Sequence, residues 1–253
     1  MRRALAFALL AALLLTGCSA GPAEALPLQE TVVPAGPAPT PEPPPSSPPS
    51  PSPLPETDPS PTPAPEPDDA ELVRVKDYLP EVFVDLKYAS DDNFTGRRIY
   101  DFDEAWLRYG TVKKLAAASE HLAAEGYAIM IWDAFRPVSA QFALWEAVPD
   151  PVYVADPDSG GSSHSRGGTV DVTLVYPDGS PVEMPTGFDD FSALADRDYS
   201  DAPEAARGHA LILERAMEAA GFSGYFAEWW HYSDSGDWPA DDLAEVTDTD
   251  LLP

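Results

Sequence analysis

Nineteen of the chain's 30 prolines fall between residues 22 and 67, mixed with Ser, Thr, Ala and Glu. Proline has no amide donor and nearly fixes φ, so this stretch can enter neither helix nor sheet. It should run as a semi-stiff spacer of about 3 Å per residue, reaching on the order of 100 Å. Its effect is to withdraw the first quarter of the chain from any core. Order is expected to begin near Glu71. The remainder, of about 170 residues, suffices for one domain with a sizeable core.

What precedes the proline stretch has its own pattern. Met1-Arg2-Arg3 is followed by the apolar run Ala4 to Leu15. That run is too short to cross a bilayer, which needs about 20 apolar residues. A basic start and a short apolar stretch are the pattern of a secretory signal. The run ends in Leu15-Thr16-Gly17-Cys18, which resembles the bacterial lipobox. The resemblance implies a cleaved signal over 1–17 and a lipid on Cys18, hence an extracytoplasmic protein whose contact with the membrane is its anchor. Residues 18–70 are then the tether, 71–240 the folded domain and 241–253 an acidic tail. Cys18 is the only cysteine, so no intramolecular disulfide supports or opposes this reading.

The formal net charge is −28, and residues 71–253 alone carry 13 basic against 35 acidic side chains. Such a surface repels phosphate backbones and argues against a nucleic-acid partner.

Within the folded part, Val82 to Tyr88 alternates as a strand does. Trp106 to Glu125 is rich in Ala and Leu and predicts a helix ended by Gly126. Tyr127 to Trp132 is a short apolar run, expected as a buried strand. Val138 to Ala147 predicts a second helix, and Thr169 to Tyr176, rich in β-branched residues, a strand turned at Pro177-Asp178-Gly179. Pro203 to Ala220 predicts an amphipathic helix stopped by Gly221, and the aromatic segment Tyr225 to Tyr232 a strand. Asp196-Arg197-Asp198 reads as a solvated turn, and the chain from Trp238 onward as a loosely held tail. Strands and helices interleave without a βαβ rhythm, which predicts an α+β domain: a central mixed or antiparallel sheet flanked by helices.

Two of the four histidines stand in unusual company. Asp171 interrupts the apolar strand as Val170-Asp171-Val172, where a carboxylate is costly unless it is paired or bound to metal. His164 precedes it by seven residues across the Gly167-Gly168 turn, and His231 closes Glu228-Trp229-Trp230-His231. Two imidazoles and one carboxylate are the ligand set expected of a catalytic zinc with one position left for water. Glu228, three residues before His231, is placed to act as general base. Arg136, locked before Pro137 after a buried strand, is the cation best placed to stabilise a developing oxyanion. His121 and His209 read as ordinary helix residues, and Trp229 and Trp230 as core and pocket wall.

The run Ser162-x-His164-x-x-Gly167-x-x-x-Asp171 with Glu228-x-x-His231 resembles the zinc D-Ala-D-Ala peptidases. Leu86-Lys87-Tyr88-Ala89, Asp92-Asn93-Phe94-Thr95-Gly96 and Asp133-Ala134-Phe135-Arg136-Pro137 are similar to the D-alanyl-D-alanine dipeptidase branch. The resemblance covers about residues 75–235. It implies the hedgehog-like peptidase fold and one Zn²⁺ held by His164, Asp171 and His231. It further implies Glu228 as base, Arg136 at the transition state, and Ser162, Tyr88 and Asp189 in contact with substrate. The implied reaction is hydrolysis of D-Ala-D-Ala. Thr169 stands where the family usually has alanine, and Gly187 is displaced relative to the family's glycine near Met184. Two other functions are consistent with an exported chain. One is a D,D-carboxypeptidase or endopeptidase on cell-wall peptides. The other is a binding module that kept its metal site, for which Glu228 and Arg136 would be superfluous.

Overall fold

The computed structural model describes residues 65–239 and 242–252. The expected signal, Cys18 and all but the end of the proline-rich tether lie outside the described residues. No helix among the described residues is long and apolar enough to cross a membrane.

The chain enters through β1 (Leu72–Arg74), then the two-residue β2 (Phe83–Val84), and β3 (Trp106–Arg108) leads directly into α1 (Tyr109–Ala124). β4 (Ala128–Asp133), α2 (Val138–Ala147), β5 (Thr169–Val175), α3 (Glu204–Ala219), β6 (Phe222–Tyr225) and β7 (Glu228–Asp234) follow. β1 and β3 form a small antiparallel pair. The main sheet has the order β2-β4-β5-β7-β6, with β2–β4 parallel and the other neighbours antiparallel. The architecture is thus α+β with a mixed sheet, as the element pattern predicts.

β5 is the central strand and is buried along its whole length. Its apolar residues Val170, Val172 and Leu174 alternate with Thr169, Asp171 and Thr173, so one face is hydrocarbon and the other carries polar groups. The hydrocarbon joins Ile129 and Ile131 of β4, Leu115 and Leu122 of α1, and Leu213 and Met217 of α3 in the core. A residue of α3 such as Leu213, fully buried, gains about 2 kcal/mol from that burial.

A register shift in β4 decides the polar face. Ile131 lies opposite Val172, but Asp133 lies opposite Asp171. In a regular strand Ile131 and Asp133 would share a face. The irregularity between them turns Asp133 away from the hydrocarbon and toward Asp171.

Four expectations about elements need correction. The helix expected from Trp106 begins at Tyr109, because Trp106–Arg108 is taken up as β3 by its pairing with β1. The strand expected over Val82 to Tyr88 is confined to Phe83–Val84, because the chain turns into a short 3-10 helix at Lys87–Ala89 that buries Tyr88. The single strand expected over Tyr225 to Tyr232 is a hairpin, with β6 and β7 joined at Phe226-Ala227. The segment from Trp238 is not loose. Asp242 meets the buried Arg108 guanidinium at 2.6 and 2.9 Å, Leu243 and Leu251 are buried, and Trp238 packs under Arg108 at 5.3 Å. The acidic composition there conceals two core leucines and a partner for a buried cation.

Candidate active site

His164 sits in a one-turn 3-10 helix, Ser163–Arg166. Ser162 Oγ accepts the His164 amide at 3.2 Å and so starts the turn. Gly167, at φ 72°, ends it in the left-handed region that glycine adopts at least cost. The next residues enter β5, which brings Asp171 up beside the turn. His231 arrives from the other side, because β7 pairs with β5 in a register that sets His231 opposite Asp171.

The three side chains converge. His164 Nε2 lies 3.4 Å from Asp171 Oδ2, His231 Nδ1 lies 3.0 Å from Asp171 Oδ1, and the two ring nitrogens are 3.3 Å apart. One ligand atom from each fits within 4.8 Å of the others. His164 Nδ1 is 2.8 Å from the Ala134 carbonyl. A carbonyl can only accept, so Nδ1 carries the proton and the Nε2 lone pair faces Asp171. Asp171 Oδ1 is buried and, although close to His231, has no well-angled hydrogen bond. Such a concentration of lone pairs needs a cation, and two imidazoles with one carboxylate suit zinc. The residues therefore fit the metal that the sequence implies.

Electrostatics point the same way. Burial pushes the Asp171 carboxyl up, but His164 and His231 together hold it well below the usual carboxylate range. Glu228 Oε2 is 3.7 Å from His231 Nδ1, and burial, reinforced by the Asp171 charge, pushes its carboxyl up. A divalent cation held by this cluster would be the largest local charge and would favour the Glu228 carboxylate.

Arg136 is buried and held on three sides. Its Nη2 and Nε donate to Asp133 Oδ2 at 2.5 and 3.2 Å, and its Nη1 donates to Gln141 Oε1 at 2.8 Å. Its guanidinium carbon lies 5.1 Å from the Tyr88 ring centre. Asp133 Oδ1 in turn accepts Tyr100 Oη at 2.8 Å and the Ala134 amide at 2.9 Å. Tyr88 Oη donates to Asp189 Oδ2 at 2.7 Å. Asp189 holds φ 51°, a left-handed conformation uncommon outside glycine, though aspartate tolerates it better than most. Burial, with the Asp171 and Glu228 charges adding to it, pushes the Asp189 carboxyl up to about 8.

Tyr88, Arg136, Ser162, His164, Asp171, Asp189, Glu228 and His231 all line one cavity of about 320 Å³. Every site residue predicted within the folded part is therefore in one place. Trp229 and Trp230 are fully buried. His121 is exposed on α1, and His209 bonds the Glu183 carbonyl away from the cavity.

Four residues lacked an assigned role in the sequence. Asp133 interrupts an apolar strand as Asp171 does, and the same reasoning could have flagged it. Tyr100 and Gln141 carry no comparable signal. Arg197, expected in a solvated turn, is the correction: its side chain is 9% exposed and lies against the β6–β7 hairpin.

A family model described as D-ala-D-ala dipeptidase (Peptidase_M15) matches residues 68–248. The D-alanyl-D-alanine dipeptidase of Escherichia coli is 38% identical over 165 residues, covering 65% of this chain and 85% of that protein. The D-alanyl-D-alanine dipeptidase of Enterococcus faecalis is 34% identical over 172 residues, covering 58% and 83%. That of Streptomyces coelicolor is 34% identical over 174 residues, covering 59% and 84%.

Proposed function

The chain belongs to the D-ala-D-ala dipeptidase family of metallopeptidases, and from that premise we propose that it hydrolyses D-alanyl-D-alanine to two molecules of D-alanine. His164 Nε2, His231 Nδ1 and an Asp171 oxygen would hold one Zn²⁺. When bound, the ion supplies Lewis acidity, lowering the pKa of a water to about 7 and polarising a carbonyl. Two neutral imidazoles and one carboxylate leave that ion a residual charge near +1, which is what sustains the effect.

The protein's own groups do the rest. Glu228 accepts a proton from the attacking water as its oxygen bonds to the carbonyl carbon. It then delivers that proton to the leaving nitrogen as the C–N bond breaks. Arg136, kept charged and aimed by Asp133 and Gln141, stabilises the negative charge that collects on the carbonyl oxygen. Asp189 and Tyr88 receive the substrate's ammonium, and that cation favours the Asp189 carboxylate, whose carboxyl burial otherwise raises to about 8. Ser162 stands at the cavity wall, where its backbone and hydroxyl border the substrate.

The observation that carries this reading is the cluster of His164, Asp171 and His231 within 4.8 Å beside a buried general-base candidate, in a chain of this family. The test is a panel of free D-Ala-D-Ala, amine-blocked D-Ala-D-Ala and a wall pentapeptide, each with and without chelator. D-Ala release from the free dipeptide alone, abolished by chelator and restored by zinc, is expected. An intact dipeptide beside a trimmed pentapeptide would instead establish a D,D-carboxypeptidase. We also propose, from the sequence of residues 1–70, that the domain is exported and held at the extracytoplasmic face of the cell membrane by lipid on Cys18.

A further inference from the structure

Strand β7 carries both Glu228 and His231, and its edge toward β6 is incomplete. The pairing runs Phe222↔Asp234, Ser223↔Ser233 and Gly224↔Tyr232, then jumps to Tyr225↔Glu228. Trp229, Trp230 and His231 have no partner residue on β6. In a strand the carbonyls of residues i and i+2 point the same way. Those of Trp229 and His231 therefore face the gap together.

Arg197 fills that gap. Its Nη2 donates to the Trp229 and His231 carbonyls, each at 3.0 Å. Its Nε donates to the Tyr225 carbonyl at 2.9 Å, and its Nη1 lies 3.2 Å from both Tyr232 Oη and Glu214 Oε2. A guanidinium has five N–H donors, and here each has its own acceptor. The group also stacks 4.4 Å from the Tyr232 ring centre. The surroundings are built to admit it. A Cβ on Gly224 would fall 2.2 Å from Arg197 Cζ, so only glycine leaves room. Tyr199, strained at φ 53°, directs its hydroxyl onto Glu214, the Arg197 counter-ion on α3.

We propose that Arg197 is a positioning residue for the metal and base: its guanidinium replaces the missing strand pairing and sets the direction in which β7 presents His231 and Glu228. The inference rests on the zinc-peptidase reading of those two residues. It assigns to the bulged hairpin a purpose, since an ordinary β6 partner would supply the hydrogen bonds but not the bend between Glu228 and His231. Lysine cannot substitute, because its three donors lack the planar fork that spans two carbonyls and a third.

The test compares Arg197→Ala, Arg197→Lys and Gly224→Ala with the parent full-length protein. It reads zinc affinity by competition with a chromogenic chelator, kcat and KM for D-Ala-D-Ala, and thermal midpoint. Arg197→Ala is expected to lose about 10- to 100-fold in zinc affinity or kcat, the range seen when supporting partners of metal ligands are removed. KM should change less than the kcat, since no substrate contact is lost. Millimolar guanidinium ion should restore part of the loss in Arg197→Ala and none in Arg197→Lys. Gly224→Ala should reproduce the defect, and Gly224→Ala added to Arg197→Ala should cost nothing more, as two routes to one displaced group are not additive. Should Arg197→Ala fail to fold, Gly224→Ala alone decides. A lower thermal midpoint with unchanged zinc affinity and unchanged kcat per folded molecule, in either variant, would overturn the proposal. Failure of the parent to cleave D-Ala-D-Ala would count against the proposed function, while the zinc arm would still judge Arg197.

Discussion

At the scale of single residues the site was legible because its chemistry is expensive. Asp171 stands in a hydrocarbon strand, a position that is costly for an unpaired carboxylate, and with His164 and His231 it makes a metal-ligand set. Glu228 followed from spacing. Glu228→Gln should lower kcat/KM for D-Ala-D-Ala by about 10²- to 10⁴-fold while zinc content stays at one per chain, because the amide keeps the shape but cannot take a proton. Metal analysis beside turnover checks this, and a variant as active as the parent would favour a binding role. Asp189 offers a test of another kind. Burial raises its folded carboxyl to about 8, above the ordinary value of 3.8 in the unfolded chain. The folded state therefore holds this proton more tightly, and the contribution to stability falls as pH rises from about 4 to about 8. In chelator-treated protein Asp189→Asn should thus melt several degrees higher than the parent at pH 9, and about the same at pH 4. Asparagine tolerates the same left-handed backbone, so the comparison isolates the charge. Tyr100 and Arg197 carry no such signal for a physical reason: they touch other protein groups, not the reacting atoms, and their side-chain partners lie 17 to 36 residues away along the chain.

At the scale of elements, periodicity sufficed where one element met one environment. α2 runs over Val138–Ala147, and α3 and β5 fall within a residue of the pattern that predicts them. It failed where the chain reversed or bulged. The hairpin at Phe226-Ala227 has no Gly or Asn at its turn to announce it, and aromatic residues stand on both sides of it. It also failed after Trp238, where acidic residues outnumber the two leucines that fix the segment. Asp234 shows how such an end is tied down. At the close of β7 it accepts Thr111 Oγ1 at 2.7 Å and the Gly236 amide at 2.5 Å, pairs with Lys114 of α1, and takes Trp238 Nε1 at 3.2 Å. Burial pulls its carboxyl up, but the bonds from Lys114 and Thr111 outweigh that and hold it below the ordinary range. Stability from this depressed group is fully present above about pH 4 and is lost as pH falls through the folded value. Asp234→Ala should therefore cost about 3 kcal/mol in urea unfolding at pH 7, most of it from leaving buried donors unmatched. The gap to the parent should narrow below about pH 3. A cost that does not change with pH would show that packing, not charge, joins α1 to β7.

At the scale of the whole molecule the predicted active-site residues all fall on one stretch of chain. Residues 68–248, matched by the dipeptidase family, contain every predicted metal, base and substrate-contacting side chain. The proline-rich stretch ahead of them holds none of the predicted site residues, and its composition is that of a spacer. What it can contribute is distance, and distance is useful only if one end is held. Under the proposed anchoring, Cys18 is the residue that tests location. One acyl chain gives only reversible attachment, and firm anchoring takes a second signal or several chains. If the full chain is expressed in a bacterium, Cys18→Ser should move it from the membrane fraction to the soluble extracytoplasmic fraction. Fatty-acid labelling should vanish, and kcat for D-Ala-D-Ala should stay within about twofold, a difference of about 0.4 kcal/mol. A Cys18→Ser protein that still sediments with membranes would refute the anchor without touching the zinc site. A protein that loses turnover on release would tie the anchored segment to catalysis.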